Sequence, residues 1–179
     1  MLNNKTILIT GGTGSFGKNF TEFLLKKYKK IKKIIIFSRD ELKQSEMADK
    51  YSSKKYSNIR FFLGDVRDLD RIKIAMSEVD YVVHAAALKQ VPSAEYNPFE
   101  VIKTNINGTF NLLENSRKYN HKNFRFVHIS TDEVFGSLGD EGKFLESTPY
   151  DPSSPYSATK AGSDHLVRAW NRTYGLPIL

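Results

Sequence analysis

The sequence contains no cysteine, which excludes a disulfide framework, a thiolate metal site and a thiol nucleophile. Its four histidines do not stand in the HxxH or HExxH spacings of common zinc sites, so we expect no metal. No apolar run approaches the roughly 20 residues of a membrane span. The start, MLNNKTILIT, has too short an apolar run for a secretory signal. We therefore expect a soluble, cytoplasmic protein with no membrane partner.

What is present is the composition of an ordinary globular domain. Hydrophobic residues make up 40% and charged residues 26% of 179 residues, enough for one domain with a full core. Much of the net charge of +7 comes from the run KKYKKIKK at 26–33. This run is either a nucleic-acid patch or a set of lysines that complements a helix dipole. No aromatic stacking platform accompanies it, so the sequence favours the second interpretation and no nucleic-acid partner.

Short apolar runs alternate with amphipathic segments along the chain. The five candidate strands are Thr6–Thr10, Ile34–Phe37, Ile59–Leu63, Tyr81–His84 and Phe124–Ile129. They are almost continuously apolar, as expected of strands that are buried on both faces. The apolar stripes of the helices between them are expected to face the core. This alternation predicts an α/β fold with a doubly wound parallel sheet, in which ligands bind at the carboxyl ends of the strands.

A glycine-rich loop, GGTGSFG, lies between the first strand and an amphipathic helix. Gly11 permits a tight turn, Gly14 lets the backbone approach a pyrophosphate, and Gly17 lets helix and strand pack closely. The phosphates would then face the helix N-terminus. The loop therefore predicts a Rossmann dinucleotide site. Its predicted cofactor contacts are Gly11, Thr13, Gly14, Ser15, Phe16 and Gly17.

The second strand ends in Ser38, Arg39 and Asp40, where the adenosine ribose of a dinucleotide should lie. A hydroxyl and a guanidinium suit a 2′-phosphate, because arginine can bond two of its oxygens at once. The sequence therefore predicts NADP. Asp40 keeps NAD as an alternative, unless it caps the helix that starts at Glu41.

The third and fourth strands are also followed by candidate cofactor contacts. Gly64, Asp65 and Val66 are placed to meet the adenine, although Asp65 also suits a helix-capping turn. Small residues follow the fourth strand, where the backbone must pass close to the cofactor or pack tightly against a helix. These residues are Ala85, Ala86 and Ala87.

Two motifs near the end of the fifth strand carry potential chemistry. The segment STDEVFG contains Thr131, Asp132 and Glu133 directly after the strand. These residues form either a simple turn or a general acid and base. Tyr156 and Lys160 lie one turn apart on a helix opened by the sequence SSP, a cap followed by proline. A nearby cation lowers the pKa of a phenol, which makes it a usable base for a sugar or alcohol hydroxyl.

Together, the glycine pattern, the strand-five Ser-Thr and YxxxK resemble the extended short-chain dehydrogenase/reductase family. Residues 1 to about 105 are similar to the inverting UDP-N-acetylglucosamine 4,6-dehydratases, on ITGGTGSFGKNF, FSRDELKQSEM and VDYVVHAAALKQVPSAEYNPFEVIKTN. Residues from about 124 to 179 are similar to dTDP-glucose 4,6-dehydratase, on HISTDEVFGSLGDEGKF and TPYDPSSPYSATKAGSDHLVRAWNRTYGLP. Within residues 1 to about 105, Lys89 and Asn105 are also predicted cofactor contacts.

The resemblance implies a nucleotide-sugar 4,6-dehydratase acting on a UDP- or dTDP-sugar. Tyr156 would remove the proton from the sugar 4-hydroxyl as hydride passes to the nicotinamide, with Thr131 bonding that oxygen and Lys160 holding the nicotinamide ribose. Glu133 would then remove the C5 proton and Asp132 protonate the departing C6 hydroxyl, before hydride returns to C6. The inverting relatives carry lysine in place of Glu133, so we expect retention at C5.

The family also sets expectations for domains and alternatives. Its members carry a C-terminal substrate domain, so residues 1–179 are expected to form only the dinucleotide-binding domain, with the substrate domain absent and activity doubtful. Apolar surface left exposed would favour a homo-oligomer. The alternatives are a non-catalytic dinucleotide-binding module and a 4-epimerase, which needs no Asp-Glu pair.

Overall fold

The computed structural model describes residues 2–119, 121–139 and 141–179. Five strands form one sheet in the order β3-β2-β1-β4-β5, with every neighbouring pair parallel. The strands are β1 Thr6–Thr10, β2 Lys33–Ser38, β3 Ile59–Leu63, β4 Tyr81–His84 and β5 Arg125–His128. The doubly wound parallel sheet predicted from the sequence is confirmed. The bounds of β2 and β5 differ from the prediction by one residue at each end.

Seven α-helices and two shorter helical turns connect the strands within the described ranges. The helices are α1 Ser15–Lys27, α2 Glu41–Lys50, α3 Leu69–Ala75, α4 Val91–Tyr96, α5 Pro98–Val101, α6 Gly108–Tyr119 and α7 Pro155–Tyr174. A π-helical turn, Ile102–Asn107, runs directly into α6, and a 3₁₀ turn, Asp132–Phe135, follows β5. The helices therefore cross over between parallel strands, as the alternating pattern requires.

The central strands are buried on both faces of the sheet. Leu8 of β1 belongs to a core that contains residues of α3, α6 and α7, including Ile72 and Val167. Ile7 belongs to a second core, which contains Leu24 of α1 and residues of α2. Because side chains alternate along a strand, the same five-residue strand supplies both cores.

The aromatic stripes of the helices are only partly core-facing, contrary to the sequence prediction. Leu24 is fully buried, yet Phe16 is 41% exposed and Phe23 is 47% exposed on the same helix. The rings of Phe16 and Phe23 both stack on Phe20, so the stripe packs along the outside of α1. Helical spacing puts residues on one face of the helix, but it does not determine how far the core reaches around that face.

The last described residues begin to pair with β5. The backbone nitrogen of His128 donates to Leu179, and Phe126 and Ile178 form a parallel bridge. Helix α7 ends at Gly175, whose φ of 65° is the left-handed C-cap conformation. After α7, the chain therefore turns back to the sheet and lies beside β5.

The described ranges contain no helix that is long and apolar enough to cross a membrane. In the same ranges, no cluster of three or more histidine, aspartate or glutamate side chains could hold a metal ion.

Candidate active site

One cleft of about 690 Å³ lies at the carboxyl ends of the strands, within the usual size range of ligand sites. The glycine loop and the ends of β2 and β3 form one side of it. The end of β5 and the start of α7 form the other. The predicted residues that line the cleft are Gly11, Thr13, Gly14, Ser15, Phe16, Ser38, Arg39, Asp40, Asp65, Val66, Ala85, Ala86, Ala87, Lys89, Thr131, Tyr156 and Lys160.

The glycine loop leaves space for a ligand backbone rather than side chains. Gly11 has a φ of 65°, and a Cβ there would lie 2.8 Å from the backbone oxygen of Ala85. Gly14 is the N-cap of α1, where no side chain caps the helix and the first turn holds no acidic residue. The amide groups of that turn are therefore directed at the cleft with the positive end of the helix dipole, which suits a phosphate.

Gly17 lies behind the cleft and does not line it. A Cβ on Gly17 would lie 2.4 Å from the backbone oxygen of Gly12 and 2.5 Å from its Cα. This close contact confirms the packing role predicted for the third glycine. Gly17 is not part of the cleft lining, and its predicted contact with a cofactor stays a prediction.

Asn105 also lies outside the cleft, although the sequence predicted a cofactor contact. It is 1% exposed and sits in the π-helical turn, a feature often found near functional sites. Its Oδ1 accepts from the backbone nitrogen of Leu88 at 2.8 Å, and its Nδ2 donates to the oxygen of Leu88 and to Oγ1 of Thr159. The amide is thus fully used in joining the loop before Lys89 to α7.

The end of β2 is built for a polar ligand. Ser38 Oγ lies 2.8 Å from Thr13 Oγ1, which joins this strand to the glycine loop. Asp40 caps α2, because its Oδ1 accepts from the backbone nitrogen of Lys43 at 3.0 Å. The capping alternative for Asp40 is therefore confirmed, and half-exposed Arg39 stays at the edge of the cleft.

Asp65 at the end of β3 is held by two arginines. Its Oδ2 lies 2.7 Å from Arg67 and 3.6 Å from Arg39. Burial alone would raise the pKa of Asp65, but the bonds and charge of Arg67, with the charge of Arg39, hold the pKa below its usual value. The carboxylate is therefore ionised at neutral pH, on the side of the cleft formed by the end of β3.

A buried histidine fixes the end of β4. The hydroxyl of Thr10 accepts a hydrogen bond from the Ala86 amide. It can therefore donate its own proton to Nδ1 of His84, which lies 2.7 Å away. On the other side, Nε2 of His84 lies 2.9 Å from Thr109 Oγ1, which donates to the backbone oxygen of Asn105. This chain requires a neutral His84 protonated on Nε2. Burial lowers its pKa well below the usual value, in agreement.

The turn after β5 brings Thr131 and two carboxylates to the cleft. Thr131 Oγ1 accepts from the backbone nitrogen of Glu133, which caps the 3₁₀ turn. Thr131 lines the cleft, while Asp132 and Glu133 are exposed at its rim. Both carboxylates act on the phenol of Tyr156, so the turn and α7 face one space.

Helix α7 carries Tyr156 and Lys160 to the same space. Its N-cap is Ser154, which forms a capping box with Ser157. Tyr156 is 7% exposed and Lys160 is 4% exposed, so both side chains are nearly enclosed by protein. The structure thus brings together the turn and the Tyr-Lys pair that the sequence predicted.

The electrostatics differ from the sequence prediction in one respect. Burial raises the pKa of Tyr156, a bond from Thr131 lowers it in part, and the two rim carboxylates raise it further. Lys160 does not offset this, because its Nζ donates to the backbone oxygen of Ile129 at 2.6 Å. Burial lowers the pKa of Lys160 itself to about 8. In the free protein the phenol is therefore protonated at neutral pH.

The cleft includes residues that the sequence did not single out. They are Lys18, Phe37, Lys43, Leu88, Thr104 and Ile129. Phe37 and Ile129 stand at or just beyond strand ends, so the rule of ligand binding at carboxyl ends could have found them. Nothing in the local pattern of Thr104 indicates its position, because the π-helical turn brings it there.

Comparison with known proteins places the chain among sugar-nucleotide enzymes. The model of the family described as GDP-mannose 4,6 dehydratase matches residues 8–179. A UDP-N-acetylglucosamine 4,6-dehydratase (inverting) of Campylobacter jejuni is 47% identical over 175 residues, covering 98% of this chain and 46% of that protein. A probable dTDP-glucose 4,6-dehydratase of Sinorhizobium fredii is 41% identical, covering 97% of this chain and 51% of that protein.

Solved structures give the same likeness. A dTDP-glucose 4,6-dehydratase of Streptomyces venezuelae, with NAD and TYD bound, has a TM-score of 0.84 at 34% identity, covering 97% of this chain and 53% of that one. A UDP-glucose 4-epimerase of Thermus thermophilus, in complex with NAD, has a TM-score of 0.83 at 28% identity, with the same coverage of both chains. The chain spans about half the length of the curated relatives it matches. Both dehydratase types match nearly all of this chain, so the matches do not locate a boundary between the two resembling segments.

Proposed function

We propose that this chain, which belongs to the GDP-mannose 4,6 dehydratase family, carries the dinucleotide site and the catalytic side chains of a nucleotide-sugar 4,6-dehydratase. One observation carries the proposal: a single cleft joins the glycine loop to Thr131 and to the Tyr156–Lys160 pair. Two exposed carboxylates, Asp132 and Glu133, follow Thr131 directly. An epimerase needs no such pair of carboxylates. Residues 1–179 act in this proposal as the dinucleotide-binding domain.

The residues fit a dinucleotide in three respects: the uncapped start of α1, the glycine at φ 65° and the polar end of β2. A bound nicotinamide would supply the acceptor for hydride from C4 of the sugar and the donor of hydride to C6. Lys160 lines the cleft together with Tyr156, and its ammonium would hold the nicotinamide ribose.

Proton transfers fall to the side chains around the sugar. Tyr156 acts as the base in its phenolate form, which accepts the proton of the 4-hydroxyl and becomes the neutral phenol. Thr131 lowers the pKa of Tyr156 and so favours the phenolate that must be present before this step. The ketone at C4 acidifies the proton on C5, which Glu133 removes. Asp132 donates a proton to the C6 hydroxyl, which leaves as water with the electrons of the C6–O bond, while the electrons of the broken C5–H bond form the C5–C6 double bond. Because Glu133 acts from one side as both acceptor and returning donor at C5, the proposed outcome is retention.

For the cofactor, we propose NADP, with NAD as the alternative. Arg39 is exposed at the end of β2, beside Ser38, and the cations Lys18 and Lys43 line the same part of the cleft. Asp40 already caps α2, so it is less free to bond a ribose hydroxyl. Relatives solved with NAD support the alternative.

Glu133→Gln tests the proposed reaction. The purified chain is incubated with NADP⁺ and UDP-N-acetylglucosamine or dTDP-glucose, and mass spectrometry follows loss of water from the sugar nucleotide. We expect Glu133→Gln to abolish loss of water but to leave cofactor reduction, because oxidation at C4 precedes removal of the C5 proton. Glu146→Gln, on an exposed loop away from the cleft, is the matched control and should behave as the parent protein. Loss of water at the parent rate in Glu133→Gln would contradict the assignment.

A second candidate is a dinucleotide-binding module without turnover, because the chain spans about half the length of its curated relatives. Dinucleotide binding without loss of water in the same assay would favour it. A UDP- or dTDP-sugar substrate, a homo-oligomeric state and a cytoplasmic location stay predictions.

A further inference from the structure

One carboxylate beneath the cleft accepts hydrogen bonds from Ser130, just after β5, and from Tyr150, in the loop before α7. Asp164 of α7 is 7% exposed. Its Oδ2 accepts from Ser130 Oγ at 2.6 Å and from the hydroxyl of Tyr150 at 3.0 Å, and its Oδ1 lies 3.1 Å from Nε2 of His128. The proposed reaction steps make no use of this residue.

These bonds join the two halves of the candidate active site. Asp164 follows Lys160 by four residues, so the two side chains share one face of α7. Ser130 is the residue directly before Thr131. The Ser130–Asp164 bond therefore links the catalytic turn to the helix that carries Tyr156 and Lys160. The Tyr150 bond ties the loop before α7 to the same point.

The negative charge of Asp164 also acts on the ammonium group of Lys160. Nε2 of His128 lies between them, 3.1 Å from Asp164 Oδ1 and 3.5 Å from Lys160 Nζ. Burial alone would raise the pKa of Asp164, but its bonds from His128, Ser130 and Tyr150 hold the pKa below the usual value. Burial lowers the pKa of Lys160 to about 8, and the charge of Asp164 acts against that decrease.

His128 does not supply a positive charge of its own at neutral pH. Burial lowers its pKa, Asp164 raises it in part, and the net shift is downward. The titratable groups that surround Asp164 and His128 are His84, Tyr150, Tyr156, Lys160, His165 and Arg168. Among these groups, Lys160 has a pKa that burial lowers to about 8, within reach of neutral pH.

We propose that Asp164 is a positioning residue that fastens the Thr131 turn to α7 and supplies the negative charge that keeps Lys160 protonated. A role of Asp164 in catalysis rests on the proposed function. The contacts of Asp164 and the effect of its charge on Lys160 do not depend on that function. A residue with a merely structural role would leave the titration of Lys160 unchanged.

Asp164→Asn removes the charge while it keeps the size and one acceptor oxygen. NMR on protein with isotope-labelled lysine follows the titration of Lys160, with no dinucleotide or sugar present and with Lys160→Arg used for assignment. We expect the pKa of Lys160 to fall by roughly one unit in Asp164→Asn, as loss of a nearby opposite charge requires. Tyr150→Phe is the matched control, because it removes one bond and leaves the charge, and it should leave the titration of Lys160 in place.

An unchanged pKa of Lys160 in a folded Asp164→Asn variant would overturn the proposal. If that variant does not fold, the carboxyl carbon of Asp164 is followed in the parent protein. A carboxyl group that titrates near neutral pH would then overturn the proposal, and one that stays ionised down to acid pH would support it. Failure of the parent protein to bind any dinucleotide would instead contradict the proposed function, and would leave the relation between Asp164 and Lys160 standing.

Discussion

Gly17→Ala should lower both the stability of the protein and its affinity for a dinucleotide, because there is no free space for the added methyl group. Its Cβ would meet three backbone atoms of Gly12 at 2.4, 2.5 and 2.6 Å. Ordinary contact begins at 3.4 Å, so α1 would have to move away from the glycine loop by about 1 Å. Overpacking of this kind costs about 1–3 kcal/mol in the free energy of unfolding. For a chain of this size, that lowers the melting temperature by roughly 2–12 °C.

The same shift moves the first turn of α1 away from the position of the pyrophosphate. We therefore expect the affinity for the dinucleotide to fall at least about tenfold, or about 1.4 kcal/mol. Thermal unfolding measures the first effect and calorimetric titration the second. Gly139→Ala is the matched control, because a Cβ there meets nothing within 4 Å. Parent-like melting and parent-like affinity in Gly17→Ala would refute the packing argument.

Two further predictions concern the end of β2 and the pH dependence of stability. Ser38→Asp places a carboxylate beside Arg39, so we expect affinity for NADP⁺ to fall at least about tenfold more than affinity for NAD⁺; an unchanged ratio in paired titrations would count against the 2′-phosphate assignment. Burial opposes ionisation of Asp80, but bonds from the Thr6 amide and Lys5 hold its pKa below 3.8. Above about pH 4, the parent protein should therefore have a higher free energy of unfolding in urea than Asp80→Asn. This advantage should be lost as the pH falls through the lowered pKa. A stability difference that is the same at neutral and at strongly acid pH would contradict this account.

The sequence predicted those features that depend on local pattern. Strand positions followed from short apolar runs, and the role of Gly17 followed from its spacing in a loop between strand and helix. The cap at Asp40 was open to prediction for the same reason, since its partner is the backbone of Lys43 only three residues away.

Features that depend on tertiary contacts were not predictable in this way. Asp164 bonds Ser130 across 34 positions of the chain, and Lys160 is turned toward Ile129 across 31 positions. The sequence therefore suggested that Lys160 would lower the pKa of Tyr156, whereas the fold directs its ammonium to a strand carbonyl. The burial of Asn105 depends on its bonds to Leu88 and to Thr159 of α7, which local spacing does not reveal.

The most direct test of the account is calorimetric titration of the purified chain with NADP⁺ and, separately, with NAD⁺. The cleft between the glycine loop and α7 predicts that a dinucleotide binds, and the residues at the end of β2 predict that NADP⁺ binds more tightly. Preference for NAD⁺ would contradict the assignment of Ser38 and Arg39. Binding of neither would contradict the central claim that this cleft is a dinucleotide site.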